Sequence, residues 1–274
     1  KIGATAITSV GKGSKSKAKL IILEYNPPQT KKDDPVAIVG KAITFDSGGY
    51  SIKTVDSLKG MKFDKMGGLI VLGTLLAASY LKIPQKLVGV ICAAENLISD
   101  DAYRPDDIIS TLSGKTVEIL TTDAEGRLIL ADGLTYVQNF YKPQCIIDFA
   151  TLTGGIVVAL GKVRAGLFSN NNKLSDELFS SSENTNEKLW KMPLDDEYFE
   201  LIKGEDSDLK NSGGREGHPI LGAMFLKQFI ENETPWAHID IAGSATSSKA
   251  EHYLPKGATG FGIRLMLDYL TRQD

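Results

Sequence analysis

The chain has 274 residues, of which 42% are hydrophobic and 24% are charged, a composition typical of folded globular proteins that argues against extensive disorder. The formal net charge of -3 excludes a general attraction of the whole chain to nucleic acid or to an anionic membrane. No apolar run approaches the ~20 residues that a membrane-spanning helix needs. The length is sufficient for one large α/β domain.

One stretch of the chain is locally basic. Lysines are concentrated in residues 12–19, and Lys31 and Lys32 follow shortly afterwards. A charge run of this length is usually a solvated loop, and that interpretation is favoured here. Nucleic acid therefore stays open as a partner, although the composition does not indicate one.

The two cysteines, Cys92 and Cys145, lie in apolar runs. Buried thiols on strands are therefore predicted rather than a disulfide. Because no signal-peptide pattern is visible either, a reducing, cytoplasmic compartment is expected. The chain begins with Lys1 and not with Met, which suggests a fragment of a longer protein.

Predicted strands and helices alternate along much of the chain. Strands are predicted, in chain order, at 19–25, 35–45, 86–93, 117–122, 145–149 and 238–243. Helices are predicted at 61–81, 128–141, 195–203, 218–230 and 259–271, and the polar segment 170–186 is predicted to be a surface excursion. This order predicts an α/β fold with a mixed, largely parallel central sheet covered by helices on both faces. Since no internal repeat or boundary is visible, a single domain is predicted over residues 1–274.

Special residues come at the ends of predicted strands. Asp46, Asp123 and the segment 151–155 each follow directly after a predicted buried strand. Ligand sites of open α/β sheets gather at the carboxyl ends of the strands. Three separate segments at one edge of the sheet therefore predict a functional site there.

Asp123 and Glu125 are two residues apart at such a strand end. Side chains at i and i+2 of an extended backbone project to the same side. Two adjacent carboxylates repel each other unless a cation or a proton neutralises them. Metal binding is one interpretation, and an ordinary acidic loop beside Arg127 is the commoner one for this segment alone.

The other candidate ligands also have simpler explanations. Asp46 precedes the pair Gly48 and Gly49, which lets backbone approach a ligand but is most often just a turn. Asp64 precedes a predicted helix and would most simply be its N-cap. Lys41 emerges from an apolar strand, where an amine loses its charge more readily and becomes able to ligate a metal, although Lys is rarely a ligand.

Histidines do not indicate a metal site. His218, His238 and His252 are widely spaced, so no histidine-based zinc pattern is present. A surface or structural role is predicted for all three. Ser47 lacks the Gly-x-Ser-x-Gly context of a hydrolase nucleophile.

Several segments together resemble the leucyl aminopeptidase, or cytosol aminopeptidase, family. The three most specific are KAITFDSGGYSIK at 41–53, MKFDKMG at 61–67 and TDAEGRL at 122–128. Shorter matches follow in the same order as in the family: AYRPDD at 102–107, SGKTVE at 113–118, ATLTGG at 150–155, WAHIDIAG at 236–243 and GATGFG at 257–262. The likeness covers nearly the whole chain, and the combination is specific although each piece is weak.

This resemblance implies two divalent metal ions per chain, Mn or Zn, with Mg or Co as further candidates. The more tightly held ion would be bound by Lys41, Asp46, Asp64 and Glu125. The more exchangeable ion would be bound by Asp46, Asp123 and Glu125, with help from the Asp123 carbonyl. Four carboxylates and two divalent ions balance in charge, and hard oxygen ligands do not select among these metals.

The resemblance also implies roles in the hydrolysis of an N-terminal residue, Leu or similar, from peptides by a metal-bridged water. Lys53 would stabilise the developing gem-diolate, and Arg127 would hold a bicarbonate that acts as general base. Backbone near Leu152 and Gly154 would complete the anion site. Met61 and Thr151 would line the pocket for the first side chain.

The family pattern implies a homohexamer and a further N-terminal domain that is absent from this chain. Three positions depart from the pattern. Lys65 places a cation beside the proposed ligand Asp64, Thr121 stands where Asn is usual, and Asp106 stands where Gly is usual. These departures put rate and metal preference in question more than the reaction class.

Two other functions compete with an aminopeptidase. A different two-metal hydrolase, such as a phosphoesterase, would use the same carboxylates but would need more cationic contacts to phosphate. A non-catalytic, DNA-binding or regulatory role would use the basic stretch 12–19.

Overall fold

The computed structural model describes residues 2–30 and 33–272. In this part of the chain the α-helices are α1 Thr5–Gly11, α2 Val55–Leu58, α3 Met66–Leu81, α4 Glu125–Tyr141, α5 Gly154–Leu160, α6 Asn172–Thr185, α7 His218–Lys227 and α8 Ile263–Thr271. The strands are β1 Lys19–Tyr25, β2 Val36–Asp46, β3 Leu87–Asn96, β4 Ile108–Ser110, β5 Thr116–Glu118, β6 Cys145–Ala150, β7 Ala165–Ser169, β8 Leu189–Lys191, β9 Leu209–Lys210, β10 Trp236–Asp240, β11 Thr246–Ser247 and β12 Gly257–Ala258. Short 3₁₀ helices span Met61–Phe63 and Asp196–Leu201.

The central sheet, as far as the structure describes the chain, has seven strands in the order β1-β3-β2-β6-β10-β7-β8. The neighbours β3, β2, β6 and β10 run parallel, and so do β7 and β8, whereas β1 and β7 pair antiparallel to β3 and β10. Such a sheet is mixed and largely parallel, so the predicted α/β class is confirmed.

Helices cover both faces of this sheet. Successive residues of β2 alternate between the two faces: Ala37 and Val39 belong to the core under α1, α4 and α7, and Val36 and Ile38 belong to the core under α3 and α8. Because both faces are covered, all four side chains are fully buried. This burial explains why the central strands read as continuous apolar runs.

Helix α3 packs against β2 at very short range, close to Lys41. A Cβ added at Gly40 would lie 2.5 Å from the Gly67 carbonyl oxygen, and one added at Gly67 would collide with the Phe149 carbonyl oxygen on β6. Only glycine permits these two approaches. The contact places Lys41 on β2 directly beneath the start of α3.

Gly67→Ala should therefore lower the free energy of unfolding by about 3 kcal/mol or more, because the colliding atoms are backbone and cannot move aside. Urea unfolding of the two proteins measures this loss. Gly73→Ala on the same helix is the matched control, since its Cβ would meet only the flexible end of Ile263. Equal stability of the Gly67 variant and the wild type would contradict the close crossing.

Two sequence-based predictions of local structure are wrong. The segment 170–186 is not a surface excursion, since it forms α6, which Asn171 caps by accepting the Leu174 N–H at 2.9 Å. Its buried face includes Leu174 and Leu178, one helical turn apart, although serine and asparagine dominate the composition. Residues 117–122 do not form a central strand: β5 ends at Glu118 and belongs to a small sheet with β4 and β9.

The segment Val55–Leu81 reaches the length and hydropathy of a membrane-spanning helix by composition, which the sequence interpretation did not anticipate. Half of its most apolar window is buried inside the fold. The segment is also interrupted, because α2 and α3 are separated by the 3₁₀ turn and α3 alone has 16 residues. These properties are those of a core helix.

The cysteines and the basic stretch lie as predicted where the structure describes them. Cys92 and Cys145 are buried on β3 and β6 and are not joined in a disulfide. The lysines of residues 12–19 are exposed, in keeping with a solvated loop. Lys31 and Lys32 lie outside the described residues.

Candidate metal centre

Strand β2 supplies two of the candidate ligands, Lys41 in its middle and Asp46 at its end. Pairing of β2 with β3 is irregular between residues 43 and 46 and resumes at Asp46, which lies opposite Asn96. The Asp46 Oδ1 atom accepts hydrogen bonds from the Gly48 N–H at 2.9 Å and from the Asn96 Nδ2 at 2.8 Å. Asp46 is thereby held in one orientation at the carboxyl end of the sheet.

The turn before α4 supplies Asp123, and the first residue of α4 is Glu125. The Thr122 side chain donates to the Gly48 carbonyl at 2.6 Å and accepts from the Ser51 N–H at 2.8 Å. The Thr122 carbonyl in turn accepts from Asn96 Nδ2 at 3.0 Å. These bonds tie the turn before α4 to the loop after β2.

Three carboxylates converge at this junction. Asp46, Asp123 and Glu125 each offer one oxygen, and these three oxygens all lie within 4.8 Å of one another. The predicted convergence is therefore correct, but its predicted geometry is not. Asp123 lies in a turn and Glu125 is the first residue of α4, so the two side chains are not brought together by an extended backbone.

Asp64 is joined to the cluster through Lys41 and is not the N-cap of α3. The N-cap of α3 is Lys65, which makes no capping hydrogen bond. The Asp64 Oδ1 atom accepts the Thr151 hydroxyl at 2.6 Å, and its Oδ2 lies 2.9 Å from the Lys41 Nζ. The position of Asp64 between β2 and β6 thus removes the alternative that the sequence favoured.

Two lysines partly compensate the negative charge of the carboxylates. The Lys41 Nζ lies 2.9 Å from Glu125 Oε1, in addition to its contact with Asp64, and donates to the Thr151 carbonyl at 3.0 Å. The Lys53 Nζ lies 2.9 Å from Asp46 Oδ2 and 2.6 Å from Asp123 Oδ1. Each lysine therefore bridges two of the four acids.

Two opposing effects, burial and these ion pairs, set the pKa values of the acids and lysines in the cluster. Burial lowers the pKa of both lysines, but the surrounding carboxylates outweigh it and the net pKa of Lys41 and of Lys53 is raised. Burial raises the pKa of Glu125, Asp64 and Asp123 above their usual values. Negative charge is thus costly here, and a bound cation would relieve that cost.

Arg127 follows Glu125 on α4 and is buried away from the solvent. It is 2% exposed, and its Nε and Nη1 atoms have no hydrogen-bond partner among the described residues. Its guanidinium stands 6.0 Å from the centre of the Phe225 ring. Burial lowers the pKa of Arg127 to about 10, and a buried guanidinium with free donors is suited to an anion.

A cleft of about 730 Å³ opens over the carboxylates. All of the predicted site residues except Arg127 line it, including Met61, Thr151, Leu152 and Gly154. Apolar side chains such as Val157 form part of the same wall. A cleft with an apolar wall beside convergent polar groups is the usual form of a small-molecule or peptide site.

Comparison with known proteins now adds to this geometry. The model of the cytosol aminopeptidase family, catalytic domain, matches residues 1–267 of the chain. The chain belongs to the cytosol aminopeptidase family.

Curated relatives in this family are much longer than the chain. A probable cytosol aminopeptidase of Geobacter sp. (strain M21) is 49% identical over 272 residues, which cover 99% of this chain and 55% of the relative. One of Rickettsia africae (strain ESF-5) is 46% identical over 272 residues, covering 98% of this chain and 54% of the relative. The chain therefore spans about half the length of the curated relatives it matches.

The fold is also similar to that of solved structures. The bottromycin maturation enzyme BotP in complex with Mn superposes with a TM-score of 0.94 at 34% sequence identity, over 98% of this chain and 59% of that chain. A second structure of BotP gives a TM-score of 0.91 at 35% identity, over 98% of this chain and 58% of that chain.

The positions that depart from the cytosol aminopeptidase pattern have identifiable surroundings. The Thr121 hydroxyl accepts the Asp123 N–H at 3.2 Å and so helps to orient that carboxylate. Asp106 has a φ of 73°, a left-handed conformation that Gly adopts freely and that Asp tolerates better than most residues. Lys65 is half-buried at the start of α3.

Sequence reasoning missed two residues of the site. Asn96 at the end of β3 bridges Asp46 and the turn before α4, and it carried no motif beyond its place at a strand end. His218 lines the cleft, whereas the sequence predicted a surface or structural role. Its position at the start of a helix, opposite the Gly154 turn, depends on tertiary packing. His238, in contrast, is fully buried and structural, bonded to Asp148.

Proposed function

We propose that this chain is the catalytic domain, over residues 1–274, of a metal-dependent aminopeptidase that removes the N-terminal residue from peptides. The observation that carries this proposal is the convergence of Asp46, Asp123 and Glu125 at the base of a cleft, in a chain of the cytosol aminopeptidase family. The presence of Mn in the BotP complex supports Mn as the metal to test before Zn, Mg or Co.

The residues of the cluster fit two divalent cations. The acids contribute four negative charges, and the Glu125 Oε2 atom is buried without a hydrogen-bond partner among the described residues. We assign Lys41, Asp46, Asp64 and Glu125 to the more tightly held ion. Asp46, Asp123, with its carbonyl, and Glu125 are assigned to the exchangeable one. Such ions polarise a carbonyl group and lower the pKa of water.

The remaining side chains have roles that follow from their positions. Lys53 faces the cleft beside Asp46 and Asp123, where its ammonium stabilises negative charge that develops on the scissile carbonyl oxygen. Arg127, through its free donors, and the backbone near Leu152 and Gly154 would hold a bicarbonate, which would supply a general base.

The cleft also defines which part of the substrate is recognised. Met61 and Thr151 line the pocket for the first side chain, Leu or a similar residue. One of the ions held by the carboxylates would bind the free amine of a peptide N-terminus, which would confine cleavage to the first bond. We further propose a cytoplasmic homohexamer, whose mass in solution would be about six times that of the chain.

Removal of metal should abolish the hydrolysis of leucyl amide, and added Mn²⁺ should restore it, because the carboxylates alone supply neither a Lewis acid nor an activated water. The measurement compares initial rates after exhaustive chelation and after reconstitution. A panel of phosphate esters assayed beside the amide separates this function from a phosphoesterase. Amide hydrolysis that persists without metal would sink the proposal, and faster phosphate-ester cleavage would replace it.

Asn96→Ala should weaken metal binding by roughly ten- to a hundredfold, as is typical when the group that orients a ligand is lost. Asn96 holds both Asp46 and the turn that carries Asp123, and Ala removes both hydrogen bonds. Titration of the metal-free protein with Mn²⁺ gives the affinity. Asn170→Ala, remote from the cleft, is the control, and equal affinity of both variants would contradict the assignment.

A further inference from the structure

His218 begins helix α7 and forms part of the wall of the cleft. It is half-buried, and its imidazole has no hydrogen bond and no ion pair within the residues that the structure describes. A neutral imidazole carries one donor and one acceptor nitrogen. Both are therefore available to a ligand in the cleft.

The packing of α7 brings the helix that carries His218 close to Arg127. Gly222 lies one turn after His218 on the same helical face, and a Cβ added there would stand 3.5 Å from the Arg127 Nη2 and 3.1 Å from the Leu152 side chain. A Cβ added at Gly155 would lie 3.1 Å from the Cβ of His218. His218 and Arg127 therefore flank the same short segment, residues 152–155.

Both side chains can donate hydrogen bonds to the same kind of ligand, a planar anion. Arg127 is a buried cation with free N–H groups, which suit the oxygens of a planar anion. Burial and the charge of Arg127 lower the pKa of His218, so its imidazole is neutral at neutral pH. A neutral imidazole avoids repulsion with Arg127 and still offers a hydrogen bond.

We propose that His218 and Arg127 together bind one planar carboxylate-type anion at this wall of the cleft. The inference rests on the proposed function and adds His218 to it as a positioning residue. Two sources supply this chemistry, namely bicarbonate from solution and the side-chain carboxylate of a substrate that begins with Glu. In either case His218 adds a hydrogen bond that helps to fix the orientation of the anion.

The first experiment measures anion binding without turnover. Mn-loaded protein, desalted into decarbonated buffer, is heated with sodium bicarbonate or with sodium chloride at equal ionic strength. Bicarbonate should raise the wild-type unfolding midpoint. His218→Ala should raise the half-maximal bicarbonate concentration about tenfold, the effect of one hydrogen bond to a charged ligand. His218→Gln, which keeps a donor, should retain most of the binding.

His252→Asn is the matched control for loss of an imidazole. His252 is exposed, does not line the cleft and has a φ of 53°, which Asn tolerates. This variant should bind bicarbonate as the wild type does. An equal loss in the His252 and His218 variants would overturn the inference, because the effect would then not belong to the cleft.

Kinetics distinguish the two sources of the anion. If bicarbonate is the ligand, bicarbonate should stimulate leucyl-amide hydrolysis by the wild type, and His218→Ala should require about tenfold more of it. If the substrate carboxylate is the ligand, His218→Ala should raise KM about tenfold for glutamyl amide and leave leucyl amide unchanged. A His218→Ala protein that matches the wild type in the thermal and both kinetic measurements overturns the inference. A wild type that binds bicarbonate but cleaves neither amide contradicts the proposed function alone.

Discussion

Glu125→Gln should lower kcat/KM for leucyl-amide hydrolysis by roughly a thousandfold or more, and the bound metal should fall below two ions per chain. Glu125 belongs to both proposed ligand sets, and its Oε2 atom is buried without a partner among the described residues. Glutamine has the same shape but no negative charge, so the variant removes several kcal/mol of stabilisation of the metals and of the charge that they bind. Metal analysis of the purified protein accompanies the kinetic measurement.

The matched control is Glu187→Gln. Glu187 is also a buried glutamate, but it accepts the Gly262 and Leu265 N–H groups and pairs with Arg264, away from the cleft. Its replacement should lower stability and leave metal content and kcat/KM near the wild-type values. Two ions and wild-type activity in the Glu125 variant would remove Glu125 from the metal site.

Lys53→Met should lower kcat about a hundred- to a thousandfold with little change in KM, the typical effect of losing one preorganised group that stabilises a developing oxyanion. Met retains the length and apolar stem of the side chain. Lys59→Met is the matched control, because Lys59 lines the same cleft, is exposed and has no contact with the carboxylates. Steady-state kinetics of both variants measure the difference.

Metal content decides between two roles for Lys53. Its Nζ contacts Asp46 and Asp123, so it could instead hold these acids in position. In that case the variant would lose metal, and excess Mn²⁺ would restore its activity. A variant that keeps both ions but turns over slowly supports the stabilisation of the substrate oxygen.

The central sheet was predictable because its strands are buried on both faces. Such strands need continuous apolar side chains, and β2 and β6 show this in sequence. Helix α6 was not predictable on composition, because its buried face uses small serines beside Leu174 and Leu178. The helix depends on its contact with α8 and β8, and sequence alone does not reveal that contact.

The sequence predicted that the carboxylates converge because each follows a parallel strand, and this reason holds only in part. Asp46 does follow a parallel strand, but Asp123 reaches the cluster through a turn that Thr122 and Asn96 hold in place. The sequence left open that Asp64 caps a helix. The structure excludes this role, because it places Asp64 between Lys41 and Thr151. Long-range hydrogen bonds of this kind leave no periodic signal in a sequence.

The two bridging lysines have a consequence for the order of events during maturation. Each ammonium group contacts two carboxylates, so the four acids and two lysines carry a net charge of -2 instead of -4. The polypeptide can therefore reach its native shape with internal counter-ions in place, unlike small zinc domains that stay unfolded until metal arrives. If the proposed ions bind, they would replace ammonium contacts in a chain that has already folded, so metal supply would govern how much of the folded protein is active rather than how much of it folds.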